Sequence, residues 1–149
     1  MLVVIATKDE LKLVEEYGFG GNPILITGVG GVNVINALKD LPRDTPILNI
    51  GYAGSNTLEI GTSVSVGKVH TYHPKAEFSE TESYNLTIGT HTCYTSTDFV
   101  TQCDFKEPCV FDMELAFICA LGFKQVRSIK IVSDNLNIEE YENTVDNNK

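Results

Sequence analysis

PILNIGYAG, residues 46–54, is the stretch that decides the fold, because an apolar run over residues 46–50 leads directly into a glycine-rich turn over residues 51–54. Other apolar runs also end abruptly in glycine or polar residues, and we predict strands for them at residues 2–6, 23–27, 109–111 and 126–132. The stretches between these runs suit helices, at residues 8–17, 32–38 and 113–121. This alternation predicts an α/β fold, a single domain in which helices flank a mixed, largely parallel sheet.

The remaining segments complete the predicted domain, which we place at residues 1–138. Residues 64–72 alternate in polarity and predict a long strand. Residues 86–88 and 91–94 are predicted to pair as a hairpin through a turn at Gly89 and Thr90. The polar residues 139–149 are predicted to form a C-terminal tail that is partly disordered.

Composition restricts the function classes. The chain has 149 residues, of which 42% are hydrophobic and 21% charged, as in a single globular domain. The net charge is −9 with no basic block, which argues against nucleic acid as a partner. No apolar run approaches the ~20 residues that span a bilayer, and the N-terminus lacks the features of a signal peptide, so we expect no membrane association.

Cysteine and histidine spacing indicates a reduced protein. The four cysteines form no CxxC pair and, with the three histidines, no zinc-binding spacing. Cys109 and Cys119 lie within apolar runs, where a free cysteine behaves as a small hydrophobic residue. We therefore expect a cytoplasmic protein with no metal ion and no cofactor.

Three motifs follow predicted strands, where open α/β sheets form their sites. Residues 28–31, GVGG, suggest a dinucleotide-binding turn, but Asn33 stands where that motif needs its last glycine. This turn is therefore either a tight connection or a ligand-lining loop. Residues 112–114, DME, place two carboxylates where a helix dipole stabilises them or where a substrate binds. Residues 133–135, SDN, suit a helix cap or a catalytic acid.

The combination and order of these motifs are more specific than any one of them. Residues 4–6 (VIA) and Glu10 are followed by the segments TGVG, NIGYAG, STDFV, DME and SD, at residues 27–30, 49–54, 96–100, 112–114 and 133–134. This ordered set resembles the purine nucleoside phosphorylase and methylthioadenosine/S-adenosylhomocysteine nucleosidase superfamily over residues 1–137. By this resemblance the chain is a short member, with trimmed connections between the motifs.

The resemblance implies two catalytic carboxylates. Asp134 matches the acid that protonates the purine at N7, with Ser133 beside it to orient the carboxyl group. Glu10 matches the carboxylate that activates water in the nucleosidase branch. Departure of a purine leaves an oxocarbenium-like sugar and an anionic base, so this pair resembles the two carboxylates of inverting glycosidases.

The resemblance also implies the substrate contacts. Glu114 matches the residue that holds the ribose hydroxyls, and Met113 matches the apolar floor under the sugar. Asp112 stands where a longer glutamate is more common. Phe99 either stacks on the base or is an ordinary core phenylalanine. The other implied contacts are the Val100 backbone at the base edge and the turn at Ala53 and Gly54 close to ribose and base.

Water is the predicted nucleophile. Phosphorylases of this superfamily bind phosphate through an arginine just before the glycine turn, where this chain has Asn49, and Arg43 and Arg127 lie at no motif. The predicted function is therefore hydrolysis of the N-glycosidic bond of methylthioadenosine, S-adenosylhomocysteine or an adenosine-like nucleoside. The resemblance also implies a homodimer or higher homo-oligomer.

Two alternative functions fit the same sequence, and one residue differs from the nucleosidase pattern. A phosphorylase that takes an arginine from a partner subunit fits the same motifs, and so does a catalytically silent nucleoside-binding protein. Tyr52 stands where nucleosidases usually carry a small residue, and we expect it to narrow the pocket or alter the substrate.

Overall fold

The computed structural model describes residues 1–73 and 82–147, and this part of the chain contains eight strands and four helices. The strands are β1 (Leu2–Ile5), β2 (Ile24–Ile26), β3 (Ile47–Ser55), β4 (Ser63–Thr71), β5 (Ser83–Asn85), β6 (His91–Thr95), β7 (Cys109–Asp112) and β8 (Val126–Asp134). The helices are α1 (Leu11–Glu16), which follows a 3-10 turn at Lys8–Glu10, α2 (Gly31–Leu38), α3 (Leu115–Ala120) and α4 (Ile138–Asn147). None of these helices has the length and apolar character needed to cross a membrane.

The strands form one mixed sheet that closes on itself. Strand β3 pairs with β8 in parallel and with β7 antiparallel, while β4 joins β8 to β6 and β6 runs parallel to β7. These pairings make a ring of five strands: β3, β8, β4, β6 and β7. Outside the ring, β1 pairs with β3 and β2 pairs with β1, while β5 pairs with β4. Most of the pairings are parallel, so the predicted α/β fold with a mixed, largely parallel sheet is confirmed.

Helices cover both faces of this sheet because its strands alternate their apolar side chains. Val4 of β1 and Ile47 of β3 pack with α2 and α3 on one face. Their neighbours Val3 and Leu48 pack with α1 and α4 on the other face. The sheet is therefore packed on both faces, and polar side chains lie at the ends of its strands.

The predicted hairpin over residues 86–94 is wrong. Strand β5 ends at Asn85 and pairs antiparallel with β4, and β6 runs parallel to β4 instead of folding back on β5. Gly89 adopts a φ of 141°, and a Cβ atom there would overlap the carbonyl oxygen of Val66. The glycine therefore serves a close crossing of the chain over β4, where the pairing with β6 is irregular.

Two further boundaries differ from the prediction. Strand β3 continues through residues 51–54, because these residues pair with β8 instead of turning. The segment from residue 139, predicted as a tail, forms α4, in which Val145 is buried and Thr144 Oγ1 donates to the Ser133 carbonyl at 2.7 Å. Residues 148–149 lie outside the described residues.

Candidate active site

A cavity of about 240 Å³ lies where β1, β3, β7 and β8 end. Nine of the ten site residues predicted from the sequence line it, together with Ala6, Thr7, Val29, Tyr52, Phe111 and Tyr141. The nine are Glu10, Ala53, Gly54, Phe99, Asp112, Met113, Glu114, Ser133 and Asp134. Val100 is the tenth, and it lines a small adjoining cavity that Phe99 and Gly54 share.

Glu10 is a buried carboxylate held by backbone donors. Its Oε1 accepts hydrogen bonds from the amides of Ala6 at 2.8 Å and Thr7 at 3.3 Å, and its Oε2 accepts one from the Tyr52 amide at 2.8 Å. Burial raises the pKa of Glu10, against the lowering effects of the Lys130 charge and these hydrogen bonds. A Cβ on Gly51 would lie 2.6 Å from Oε2, so the glycine allows the carboxylate to lie against β3.

Asp134 lies at the end of β8 and faces the cavity. Its Oδ1 accepts a hydrogen bond from the Ser133 hydroxyl at 2.6 Å, and its Oδ2 accepts from the amides of Leu136 at 3.0 Å and Asn137 at 3.3 Å. Burial raises the pKa of Asp134, although these hydrogen bonds lower it. The carboxylate thus caps the turn before α4 and also lines the cavity, so both sequence interpretations are compatible with its position.

Asp112 forms a buried ion pair with Lys130. The Lys130 ammonium lies 3.0 Å from Asp112 Oδ2, and each side chain is only 1% exposed. Asp112 also accepts hydrogen bonds from the Thr95 hydroxyl and from the Leu115 amide at the start of α3. Burial alone would raise the pKa of Asp112, but the Lys130 charge and these hydrogen bonds hold it below its ordinary value.

Lys130 is a component of the site that the sequence prediction missed. It lies in the middle of β8 and is one of the largest fully buried side chains of the described residues. Burial lowers its pKa, but the Asp112 charge more than compensates, so the pKa is raised overall. A lysine between the apolar residues Ile129 and Ile131 of a buried strand is the sequence feature that indicates a buried partner, because a lone buried ammonium is too costly.

Glu114 connects the glycine turn to the ion pair. Its Oε2 accepts a hydrogen bond from the Gly30 amide at 2.9 Å. Burial and then the negative charge of Asp112 raise the pKa of Glu114 to about 7. Gly30 has a φ of 89°, and Val29 beside it lines the cavity, so the turn is both a tight connection and part of the cavity wall.

Aromatic rings form the remaining walls. Phe99 and Tyr141 meet edge to face with ring centroids 5.8 Å apart. Burial, with the charges of Glu10 and Asp9, raises the pKa of Tyr141 to about 12. Tyr141 was missed because it lies in the segment predicted as a tail. Tyr52 is buried beside the cavity, at the position where the sequence predicted a narrower pocket.

The arrangement suits acid–base chemistry on a flat apolar ligand. Two carboxylates with raised pKa values face the cavity: Glu10 comes from the 3-10 turn after β1, and Asp134 comes from the end of β8. Aromatic and apolar side chains line the rest of the cavity. Among residues 1–73 and 82–147, no group of three or more histidine, cysteine, aspartate or glutamate side chains is placed to hold a metal ion.

This chain has the fold of solved nucleosidase structures, so the resemblance inferred from the sequence is confirmed at the level of the fold. The sequence itself matches no protein-family model and, at a significant level, no curated protein.

Solved structures that it resembles include bacterial nucleosidases and a futalosine hydrolase. One is the 5′-methylthioadenosine/S-adenosyl homocysteine nucleosidase of Helicobacter pylori, with a TM-score of 0.75, 12% identity, and 99% of this chain and 91% of that chain covered. The corresponding enzyme of Neisseria meningitidis, solved with methylthio-immucillin-A, has a TM-score of 0.74 and 16% identity over 99% and 93% of the two chains. The futalosine hydrolase of H. pylori has a TM-score of 0.71 and 12% identity over 99% and 91%.

We predict that Lys130→Met lowers the free energy of unfolding by about 3–5 kcal/mol, because Asp112 becomes an uncompensated buried charge. Lys124→Met removes the same charge from an exposed position and should change stability by less than ~0.5 kcal/mol. Adding Asp112→Asn to the Lys130 variant should restore part of the loss. Urea unfolding measures all three, and a near-neutral Lys130→Met would contradict the structural importance of the pair.

Proposed function

We propose that this protein hydrolyses the N-glycosidic bond of a purine nucleoside, with methylthioadenosine, S-adenosylhomocysteine and adenosine-like nucleosides as the substrate class. The observation that carries the proposal is the placement of Glu10 and Asp134, two buried carboxylates with raised pKa values, on one cavity with Glu114 and Phe99. Nucleosidases that share the fold act on nucleosides of this kind, which supports the same chemistry here.

The proposed reaction breaks one bond and forms another. Asp134 donates its proton to N7 of the purine as the bond between C1′ and N9 breaks, and the electron pair of that bond leaves with the base. Glu10 takes a proton from water, whose oxygen bonds to C1′ of the cationic sugar. The products are free purine and free sugar, and solvent returns a proton from Glu10 to Asp134.

The electrostatics of the two carboxylates support these roles. A general acid must hold a proton near neutral pH, and burial moves the pKa of Asp134 in that direction. Burial likewise raises the pKa of Glu10, which makes its ionised form a stronger base for water. Three backbone amides fix the orientation of Glu10, so little reorganisation accompanies proton transfer.

The other lining residues are proposed as substrate contacts. The bond from Gly30 fixes Oε2 of Glu114, and we assign Oε1 to the ribose hydroxyls above Met113. Phe99 is partly exposed to the cavity rather than fully buried, which favours stacking on the base over a core role. The remaining contacts in the proposal are Ala53 and Gly54 against the sugar and base, and the Val100 backbone at the base edge.

Water is preferred over phosphate as the nucleophile because no arginine of the described residues lines the cavity. Asn49, at the position of the phosphorylase arginine, donates to the Val4 carbonyl at 3.3 Å and accepts from the Ser128 hydroxyl at 2.8 Å. Arg43 donates to the carbonyls of Leu41 and Lys39 beyond α2. Both arginines lie outside the set of described residues that line the cavity.

A cytoplasmic location is part of the proposal. All four cysteines are free thiols, and Cys93 Sγ donates to Asp112 Oδ1 at 3.3 Å inside the core. Free thiols in these positions suit a reducing compartment. A disulfide detected by mass spectrometry in protein taken directly from cells would argue against this location.

Asp134→Asn should lower turnover by ~10²–10⁴-fold while nucleoside binding persists, because an amide cannot deliver the proton. Thermal stability should change little, because asparagine caps about as well as aspartate. Asp44→Asn, at an exposed position away from the cavity, is the matched control. Release of free purine is followed by chromatography, and an Asp134→Asn variant with most of its turnover would mean that this carboxyl group is only a cap.

We further propose a homodimer that covers the apolar patch formed by Ile26, Val29, Val32 and Ile35, which are 39%, 48%, 75% and 40% exposed. Val29 also lines the cavity, so the patch continues from the proposed site. Val32→Glu should convert dimer to monomer in analytical ultracentrifugation, whereas Ile88→Glu, at another exposed apolar residue, should not. Wild-type protein that sediments only as a monomer would refute the proposal.

A further inference from the structure

The described residues that line the cavity carry only negative formal charge. Glu10, Asp112, Glu114 and Asp134 contribute four carboxylates, and no arginine, lysine or histidine is among the lining residues of the described chain. The Lys130 ammonium lies behind this lining, where it is paired with Asp112 at 3.0 Å. Asp134 holds a proton in the proposed mechanism, so the negative charge that faces a ligand comes from Glu10 and from Glu114, whose pKa is about 7. No basic side chain of the described lining residues lies opposite these two carboxylates.

Six backbone amides around the cavity already donate to Glu10, Glu114 and Asp134. Glu10 takes the amides of Ala6, Thr7 and Tyr52. Glu114 takes the amide of Gly30, which is the donor that a glycine turn before a helix would otherwise offer to a phosphate. Asp134 takes the amides that follow β8, those of Leu136 and Asn137.

Lys12 is a basic side chain close to the lining residue Tyr52, but its ammonium has other partners. Lys12 donates to the Val145 carbonyl at 3.1 Å and lies 5.8 Å from the centre of the Tyr52 ring. It lies outside the lining set. An anionic ligand in this cavity would thus meet carboxylates without a compensating cation or a vacant backbone amide among the contacts described above.

We propose that the cavity admits nucleosides whose 5′ substituent is uncharged or positively charged and that it rejects nucleoside 5′-phosphates. The inference rests on the proposed function and specifies its substrate class. Like charges placed together in a partly desolvated site repel strongly, whereas a cation there is attracted to the same carboxylates. The selectivity comes from charge and from occupied donors, not from the size of the cavity.

A matched substrate series tests this selectivity on the wild-type protein. Methylthioadenosine and adenosine are the uncharged members, 5′-amino-5′-deoxyadenosine is the cationic member, and adenosine 5′-monophosphate is the anionic member. We expect kcat/KM for the monophosphate to be at least ~100-fold below that of adenosine, and the amino nucleoside to be at least as good as adenosine. Dissociation constants from calorimetry should follow the same order.

A charge variant separates this from a steric effect. Glu114→Gln removes one cavity carboxylate, and the affinity for the monophosphate relative to adenosine should improve by ~10-fold. Glu16→Gln changes the net charge equally on the exposed side of α1 and should leave the ratio unchanged. If the Glu114 variant does not fold, the wild-type ratio of the monophosphate to adenosine alone decides whether the inference holds.

The outcomes distinguish this inference from the function on which it rests. Cleavage of adenosine and its monophosphate at similar rates would overturn the charge selectivity and leave the nucleosidase function intact. Failure of every member of the series to bind or to be cleaved would overturn the proposed function, and this inference with it.

Discussion

The buried ion pair between Asp112 and Lys130 is the interaction on which the rest of the site depends. It links the end of β7 to the middle of β8 inside the closed ring of strands, where neither charge reaches solvent. The same Asp112 carboxylate accepts the Leu115 amide and so fixes the start of α3. Because Glu114 lies between these two residues, the ion pair also sets the position of the carboxylate that faces the cavity. Removing one partner would leave a charge in the core, so the pair constrains fold and site together.

Glycines determine how close the carboxylates approach the strands. A side chain at Gly51 would meet Oε2 of Glu10, and one at Gly54 would lie 2.9 Å from Oδ2 of Asp134. Both glycines belong to β3, which runs beside β1 and β8, so a single strand makes room for both proposed catalytic groups. The glycine-rich end of this strand therefore acts less as a flexible turn than as a flat surface against which two carboxylates are buried and their pKa values raised.

The sequence allowed the fold class and the composition of the cavity to be predicted because both depend on local patterns. Apolar runs mark buried strands, and the ends of parallel strands meet at one edge, so residues far apart such as Glu10 and Asp134 are brought to one cavity. Features that depend on distant pairing were not predictable in this way. The course of residues 86–94 is set by crossing over β4 near Gly67. Helix α4 packs Tyr141 and Val145, which are four residues apart, against the core, but they lie in a mostly polar segment that was therefore predicted as a tail.

The proposed function requires that water attack C1′ of a purine nucleoside in this cavity. The most direct measurement is product identification by chromatography after incubation of the purified protein with methylthioadenosine and adenosine, with and without inorganic phosphate. We expect free purine and free sugar in equal amounts, at a rate that phosphate does not change. Ribose 1-phosphate as the main sugar product, or tight nucleoside binding with no release of purine, would contradict it.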